Sequence, residues 1–308
     1  MLRGGRSSEH DVSLDSAASV IEGLDPNRYD VVPIEIPREG PWLLSREEAA
    51  AYDVVFPVLH GPFGEDGAVQ GLLELAGVAY VGAGGTASAL AMDKDLFKSV
   101  LRDKDVPVAR SVTVRAGEAA TSPTGFPCVV KPARLGSSVG ISVVQDEEDF
   151  AAAVALAFAH DEKILVEEFL DGVEVECSVL GNADPIASVP GEIVPLASDW
   201  YDYEAKYAEG GMELVIPPRV AAESAAQVQE LAVAAFVACD CEGMARVDVF
   251  VRPDGHVVVN ELNTIPGFTA TSVYAKLFEA SGIPYSELLD RLVELALERH
   301  ERRAGLRY

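Results

Sequence analysis

Residues 245–263, ARVDVFVRPDGHVVVNELN, predict a β-hairpin whose strand register follows from the sequence. Asp254-Gly255 is a strong signal for a two-residue turn between the two strands. A ladder closed around this turn places Asp248 directly opposite Glu261. Because side chains alternate between the two faces of a strand, both carboxylates project from one face, with Cβ atoms ~5 Å apart. The hairpin therefore predicts a polar face that carries two opposed carboxylates.

Arg246 and Asn263 form a neighbouring pair on the same face of this hairpin. Two opposed carboxylates repel each other on a merely structural sheet, and a divalent cation between them removes that repulsion. The oxygens of Asp248, Glu261 and Asn263 suit Mg²⁺, which completes its coordination with water and nucleotide phosphate oxygens. Arg246 suits a phosphoryl group or a developing oxyanion. The alternative interpretation is a solvated strand face with a charge-paired arginine.

The composition is that of an acidic globular protein. The chain has 308 residues, with 24 Lys and Arg against 50 Asp and Glu, and a formal net charge of −26. Such a surface repels phosphate backbones and anionic lipids, so we expect neither nucleic-acid nor membrane binding. The apolar stretches are too short to cross a bilayer and the start is no signal peptide, so we expect a cytoplasmic protein. The cysteines lack the paired spacing of a zinc site and are expected to be buried thiols: Cys128, Cys177, Cys239 and Cys241.

Strand and helix patterns divide the chain into three predicted lobes, at residues 1–92, 93–172 and 173–308. The first lobe alternates short apolar strands with helical stripes, which indicates an α/β lobe with a parallel sheet. The other two lobes mix strands and helices in an α+β manner, and the third contains a polar aromatic loop followed by a helix at 221–238. Chains of this length usually divide, because a single core stops growing beyond ~250–300 residues.

A glycine-rich loop follows an apolar strand in VVKPARLGSSVG, residues 129–140. Backbone N–H groups and hydroxyls of such a loop can hold phosphates, and its glycines permit close approach. Lys131 stands before the loop, so this is no Walker A motif. A β-turn rich in Gly and Ser is the alternative interpretation.

Five further residues are candidates that each have a plain structural alternative. Lys94 could contact phosphate, although a lysine on a helix surface is often only solvated. Glu9 stands at a predicted helix start, where an acidic N-cap is the alternative. His60 ends a strand where the active sites of parallel sheets open, and an ordinary loop histidine is the alternative. Lys206 and Tyr207 lie in the polar aromatic loop YDYEAKY, which favours a mobile lid over a packing role.

Eight motifs follow one another across nearly the whole chain: GGRSSEHDVSL, LHGPFGEDGAVQG, MDKDLFK, VVKPARLGSSVG, VEEFLDGVE, YDYEAKY, ARVD and NELNTIPGF. In this combination the chain resembles the D-alanine–D-alanine ligase family of the ATP-grasp superfamily. The GSSVG and NELNTIPG motifs mark ATP-grasp lobes, whereas the first and sixth motifs are particular to dipeptide ligases. The resemblance implies a preATP-grasp lobe followed by two ATP-grasp lobes that enclose ATP.

The resemblance also implies an activity, a set of partners and a role for each candidate residue. Two D-alanines would be joined through an acyl phosphate for peptidoglycan synthesis, by a homodimer that uses ATP and two Mg²⁺, with Mn²⁺ as an alternative. The nucleotide would contact Lys94 and Lys131 with its phosphates, Glu167, Glu168 and Leu170 with its adenine, and Glu174 with its ribose. The metal ligands would be Asp248, Glu261 and Asn263. Glu9, linked through Ser137 to Tyr207, would hold the first substrate's ammonium, Arg246 and the Gly267 N–H would stabilise the oxyanion, and His60, Lys206 and Ser272 would bind substrate.

Two features depart from the family pattern. Only Met1, Leu2 and Arg3 precede Gly4, where the family has an apolar strand, so the first strand of the first lobe is expected to be missing. The loop that carries Glu9 would then be poorly packed, with low stability and weak D-alanine binding as results. Some family members have a lysine at position 168, and little consequence is expected because backbone groups read the adenine there.

Two rival functions remain from the sequence. A relative that makes D-alanine–D-lactate or D-alanine–D-serine shares most of these motifs, and the intact Tyr207 favours the dipeptide. A catalytically dead ATP-grasp module that only binds nucleotide is the rival from another class. The complete metal set and Arg246 count against that module.

Overall fold

The computed structural model describes residues 1–40, 45–196 and 211–307, which form a mixed α/β protein. In these ranges the strands are β1 (Leu2–Gly4), β2 (Ile34–Ile36), β3 (Val54–Val55), β4 (Ala79–Tyr80), β5 (Ser111–Arg115), β6 (Cys128–Pro132), β7 (Ser142–Val144), β8 (Lys163–Glu168), β9 (Val173–Gly181), β10 (Ile186–Ala187), β11 (Gly191–Pro195), β12 (Met212–Val215), β13 (Gly243–Val251) and β14 (Val257–Asn263). The helices are α1 (His10–Gly23), α2 (Arg46–Ala49), α3 (Ala68–Ala76), α4 (Gly85–Met92), α5 (Lys94–Asp103), α6 (Glu147–Phe158), α7 (Ala222–Ala238), α8 (Val273–Ala280) and α9 (Tyr285–Ala304).

The first strand of the first lobe is present, so the expectation that it is missing was wrong. β1 pairs in parallel with β2, and Leu2 also forms a parallel bridge with Pro57 beside β3. The Leu2 N–H donates to the Phe56 carbonyl at 2.9 Å, and the Leu2 carbonyl accepts from the Val58 N–H at 2.9 Å. β3 pairs in parallel with β4, which gives the order β2-β1-β3-β4. Three residues suffice because strands on both sides satisfy the backbone groups of this short segment.

The last helix packs against the first lobe. Leu288 of α9 lies in one apolar cluster with Val20 of α1 and Val58 beside β3. Further along α9, Arg299 is buried and donates to the Tyr80 carbonyl at 2.7 Å and to the carbonyl of Gly82. The two ends of the chain therefore share one core.

The central lobe is an antiparallel sheet in the order β5-β8-β6-β7, and α6 packs on it. Val130, Ile164 and Val166 are fully buried in the core of this lobe. Because side chains alternate along each strand, the neighbours of these residues point to the opposite face. That alternation places Lys131 of β6 and Glu167 of β8 on the face away from α6.

The third lobe is a larger antiparallel sheet in the order β12-β11-β9-β13-β14, with β10 attached to β9. The Ala-rich helix α7 packs on β9, β13 and β14, and α8 contacts β9. α5 contributes its apolar face, including Phe97 and Leu101, to this core rather than to the central sheet. The polar face of α5, which begins with Lys94, is thereby placed between the two sheets.

The predicted hairpin register is confirmed at the carboxylates: Asp248 lies opposite Glu261 and Arg246 opposite Asn263. The loop of the hairpin differs from the predicted two-residue turn. Arg252 N–H donates to the His256 carbonyl at 2.9 Å, so three residues form the loop, and the pairs next to it are shifted by one residue. β14 has a β-bulge at Asn260, the extra residue between the partners of Asp248 and Val249. This bulge restores the predicted register at Asp248 and Glu261.

All four cysteines are buried and none forms a disulfide, as the sequence predicts. Burial raises the pKa of the Cys177 thiol to about 12. Within the described ranges, no helix combines the length and the apolar character that crossing a membrane requires.

Candidate active site

A cavity of about 350 Å³ lies between the central sheet and the β13–β14 hairpin. Its polar lining includes Lys94, Lys131, Glu167, Glu168, Glu174, Asn260 and Glu261, and its apolar lining includes Val129, Val143, Leu170 and Phe250. All of the predicted nucleotide residues and one predicted metal ligand therefore border one space. A flat apolar wall beside paired lysines suits a ligand with an aromatic ring and an anionic tail.

Glu167 is held by two lysines. Its Oε2 lies 2.7 Å from Lys131 Nζ, and its Oε1 lies 2.9 Å from Lys98 Nζ. Burial opposes the ionisation of Glu167, but the two ammonium groups outweigh burial and hold its pKa below the usual value. Lys131 Nζ also donates to Asn260 Oδ1 at 3.3 Å, which ties the central lobe to the bulge of the hairpin.

Lys94 connects the central and third lobes as the first residue of α5. Its Nζ donates to the Leu135 carbonyl at 2.8 Å and lies 3.5 Å from Glu261 Oε2. Asp93 caps α5 by accepting from the Leu96 N–H, and Lys163 Nζ lies 2.6 Å from the Asp93 carboxylate. The helix start that presents Lys94 is thus fixed by a buried ion pair.

Three carboxylates stand side by side across β9, β13 and β14. Glu176 is the register partner of Asp248, which is the register partner of Glu261. Arg246 binds two of them: its Nε lies 2.7 Å from Asp248 Oδ1 and 2.9 Å from Glu176 Oε2, and its Nη2 lies 2.7 Å from Asp248 Oδ2. Asn263 Nδ2 donates to Asp248 Oδ2 at 3.0 Å. Arg246 and Lys94 therefore neutralise part of the negative charge of this face.

The donor set of this face fits a hard cation that retains other ligands. Asp248 and Glu261 supply carboxylates and Asn263 an amide group, all from two adjacent strands. In the described part of the chain, no group of three or more His, Cys, Asp or Glu side chains is placed to hold a metal. A metal here would therefore take further ligands from water or from phosphate oxygens, which is how Mg²⁺ is usually bound.

Glu9 and Ser137 meet across two lobes. Ser137 Oγ donates to Glu9 Oε1 at 2.6 Å, and Glu9 is buried. Glu9 precedes α1 but its side chain makes no cap hydrogen bond, so the N-cap interpretation is not what the structure shows. A Cβ added to Gly61 would lie 2.9 Å from Glu9 Oε2, which places the carboxylate against the loop after His60.

The glycine-rich loop is backbone-strained at its centre. Ser137 and Ser138 adopt φ values of +53° and +57°, in the left-handed region that non-glycine residues rarely occupy. Such strain persists where surrounding contacts enforce it and is concentrated at functional sites. Here the contact of Ser137 with Glu9 supplies one such constraint.

His60 and Glu65 lie where the first and third lobes meet. His60 Nδ1 lies 3.0 Å from the Ile265 carbonyl, and burial lowers the pKa of His60. Glu65 accepts from the Gly61 N–H at 2.7 Å and from the Ile265 N–H at 3.4 Å. Burial, reinforced by the charge of Glu9, raises the pKa of Glu65 to about 8. Both groups are therefore mostly uncharged near neutral pH.

Gly267 and Ser272 are neighbours at the start of α8. A Cβ added to Gly267 would lie 3.3 Å from Ser272 Oγ, so a larger residue would crowd that hydroxyl. Ser272 is the N-cap residue of α8, and its Oγ accepts from the Thr269 N–H at 3.0 Å. The two predicted substrate contacts thus share one small region.

The carboxylate of Glu168 points away from the other residues that were predicted to bind the nucleotide. It accepts from the Arg110 guanidinium at 3.1 and 2.9 Å, and from the Arg110 N–H at 2.9 Å. Position 168 can therefore carry a glutamate instead of a lysine without changing the groups that β8 presents to the cavity. Lys206 and Tyr207 lie outside the described residues.

Four contributors were missed in the sequence, although two carried a signal. Lys98 follows Lys94 by four residues, which places both on one helix face. Glu176 alternates with Glu174 along a predicted strand, which places both on one face. Asn260 and Glu65 carried no such signal, because a bulge and an inter-lobe contact are set by tertiary packing.

Comparison with known proteins places this chain in a family. The family profile described as D-ala D-ala ligase C-terminus matches residues 99–294, and the one described as D-ala D-ala ligase N-terminus matches residues 1–51 and 44–83. D-alanine–D-alanine ligase A of Mesorhizobium japonicum is 47% identical over 350 aligned positions, covering 98% of each chain. The chain belongs to the D-alanine–D-alanine ligase family. The resemblance predicted from the sequence motifs is thereby confirmed.

Solved structures agree with the ligase fold over nearly the whole chain. The D-alanine–D-alanine ligase of Bacillus anthracis complexed with ATP matches with a TM-score of 0.83 at 30% identity, covering 98% of both chains. The VanG D-Ala:D-Ser ligase of Enterococcus faecalis matches with a TM-score of 0.86 at 36% identity, covering 96% of this chain and 98% of the other. The ligase fold is therefore common to enzymes whose names state different second substrates.

Proposed function

We propose that this ligase joins two molecules of D-alanine into D-alanyl-D-alanine, with conversion of ATP to ADP and phosphate, for peptidoglycan precursor synthesis. One observation carries the proposal: a single cavity brings Lys94 and Lys131 together with Glu261, beside the row of carboxylates. Lysines suit the phosphates of ATP, and the carboxylate pair suits the accompanying cation.

The reaction begins with transfer of the terminal phosphoryl group of ATP to the carboxylate of the first D-alanine. Glu9, held by Ser137, binds the ammonium group of that D-alanine. This contact orients the carboxylate of the D-alanine toward the cavity. The amino group of the second D-alanine then attacks the acyl phosphate, and the tetrahedral intermediate expels phosphate. Arg246 and the Gly267 N–H stabilise the negative charge that develops on the carbonyl oxygen.

Asp248, Glu261 and Asn263 would hold two Mg²⁺, with Mn²⁺ as an alternative, and these ions would neutralise charge on the transferring phosphoryl group. Arg246 already binds Asp248, so the arginine keeps this carboxylate oriented toward its neighbours. Lys94 bonds the Leu135 carbonyl and reaches Glu261, so it can link the glycine-rich loop to the metal face around a nucleotide.

Adenine and ribose binding are assigned to the cavity wall of the central lobe. Glu167, Glu168 and Leu170 follow one another at the end of β8 and contact the adenine, with Glu168 acting through its backbone. Glu174 lines the same cavity and contacts the ribose. Ser272 and His60 contact substrate, and the roles of Lys206 and Tyr207 stay predictions from the sequence.

The choice of second substrate is the finer part of the proposal. Dipeptide formation is favoured over D-lactate or D-serine by the YDYEAKY motif, while the likeness to a D-Ala:D-Ser ligase keeps D-serine as the rival. We further propose that the enzyme works in the cytoplasm, as a homodimer, since its substrates and product are small and polar and its surface is acidic.

Phosphate release from ATP tests the function. The purified chain is incubated with ATP and Mg²⁺, first with D-alanine alone and then with D-lactate or D-serine added, and the products are separated. We expect D-alanine alone to give equal amounts of phosphate and dipeptide. Phosphate release without dipeptide, or a mixed product in excess over the dipeptide, would contradict the assignment.

A further inference from the structure

The side chain of Lys98 is fully buried between the central and third lobes, and it is not part of the cavity lining. It lies one helical turn after Lys94 on α5, whereas Lys94 does line the cavity. A buried lysine is costly unless an anion accompanies it. Its anion is Glu167, at 2.9 Å.

Glu167 is shared between Lys98 and Lys131, and only Lys131 reaches the cavity. The two lysines and one glutamate leave one positive charge in excess, and that charge is exposed to a ligand only through Lys131. Without Lys98, Glu167 and Lys131 would form a neutral one-to-one pair. An incoming phosphate would then have to compete with Glu167 for the same ammonium group.

We propose that Lys98 is a positioning residue for the nucleotide phosphates. It neutralises the charge of Glu167 from outside the cavity, so that Lys131 can direct its hydrogen bonds to phosphate. This inference rests on the proposed ATP-dependent function. It assigns no contact between Lys98 and the nucleotide.

The protonation state of Lys98 agrees with this arrangement. Burial lowers its pKa to about 8, with the charge of Glu167 opposing that shift and the charge of Lys131 adding to it. Lys98 is therefore mostly charged at neutral pH, as a counter-ion for Glu167 has to be. Lys131 has a second tether at Asn260 Oδ1, 3.3 Å away, which keeps its stem in place when it turns from Glu167.

Calorimetric binding of ATP and of adenosine to Lys98→Met separates this role from simple packing. We expect ATP to bind roughly tenfold more weakly, on the scale of one charge-assisted hydrogen bond, while adenosine binds as in the wild type. Arg299→Met removes another buried cation, distant from the cavity, and is expected to leave the ratio of the two dissociation constants unchanged. Equal weakening of ATP and adenosine by Lys98→Met, or no weakening of ATP, would overturn the proposal.

The Glu167→Gln variant tests the same proposal by an expected change in the opposite direction. This test does not require the Lys98→Met variant to fold. No carboxylate then competes with phosphate for Lys131, so the preference for ATP over adenosine is expected to rise. A preference that stays or falls would overturn the role of Lys98. Failure of the wild type to bind ATP or to form dipeptide would instead contradict the proposed function, so the two failures are distinguishable.

Discussion

Two clusters of charged side chains each reach the same cavity, and the formal charges of their named members sum to opposite signs. The first consists of Lys98, Lys131 and Glu167, and the second of Glu176, Asp248 and Glu261 with Arg246 and Lys94. The named side chains of the first cluster carry one surplus positive charge, and those of the second carry one surplus negative charge. Each surplus suits one part of a metal-bound nucleoside triphosphate: phosphate for the first cluster and the cation for the second.

Glu261→Gln removes the negative surplus and gives the largest expected effect. A carboxamide binds a divalent cation far more weakly than a carboxylate does, so ligase turnover is expected to fall at least about a thousandfold, equivalent to several kcal/mol. Dipeptide formation measures the loss, and circular dichroism checks the fold. Glu223→Gln, the same charge change on an exposed face of α7, is the matched control. Wild-type turnover in Glu261→Gln would contradict the metal assignment.

Arg246→Gln breaks the compensation inside the second cluster. Asp248 and Glu176 then lose their ion pairs with Arg246, which is expected to reduce the free energy of unfolding by about 3 kcal/mol. Urea denaturation measures the change in apo protein. Arg246→Lys keeps the charge but not the paired hydrogen bonds to Asp248, so its stability is expected to lie between the two. Equal stability of all three proteins would show that the cluster is compensated in another way.

Ser137→Ala tests whether D-alanine is bound apart from both clusters. The variant loses the 2.6 Å hydrogen bond to Glu9, so the KM for the first D-alanine is expected to rise about tenfold while the Kd for ATP changes little. Ser122→Ala removes a hydroxyl elsewhere in the central lobe and serves as the control. A larger effect on ATP than on D-alanine would place Glu9 in the nucleotide site instead.

Glu65→Gln is expected to act on the pH dependence of stability rather than on turnover, and it contrasts with Glu167, a carboxylate that two lysines keep ionised. The pKa of Glu65 is about 8 in the folded protein against 4.5 for the free group, so the folded state binds more protons between these values. The wild type therefore loses stability as pH rises from about 4.5 to 8, and this loss is absent in Glu65→Gln. The Tm of the variant relative to the wild type is expected to rise over that range. A constant difference in Tm from pH 5 to 8 would contradict the raised pKa.

The sequence predicted the second cluster better than the first. The pairing of Asp248 with Glu261 was correct although the turn was read as two residues instead of three, because the bulge at Asn260 compensates the error. Such a compensation depends on packing between lobes and leaves no local pattern. The first cluster joins three elements distant in sequence. The family resemblance named Lys131 and Glu167, but only the four-residue spacing of Lys94 and Lys98 hinted that Lys98 joins them.

The first strand illustrates a different limit of sequence interpretation. Three residues have too little apolar content to predict a strand, and the sequence therefore indicated a gap in the sheet. The structure shows that Leu2 finds hydrogen-bond partners on both sides and is fully buried. Its conformation is imposed by β2 and β3 rather than by its own propensity.

The packing of α9 against the first lobe has a consequence for biosynthesis. Leu288 and Arg299 are synthesised long after Val58 and Tyr80, yet they complete the core around Val58 and the backbone contacts of Tyr80. Translation proceeds at about 5–20 residues per second, so the first lobe waits for many seconds with apolar surface uncovered. The core of the first lobe can therefore be completed only after α9 has emerged.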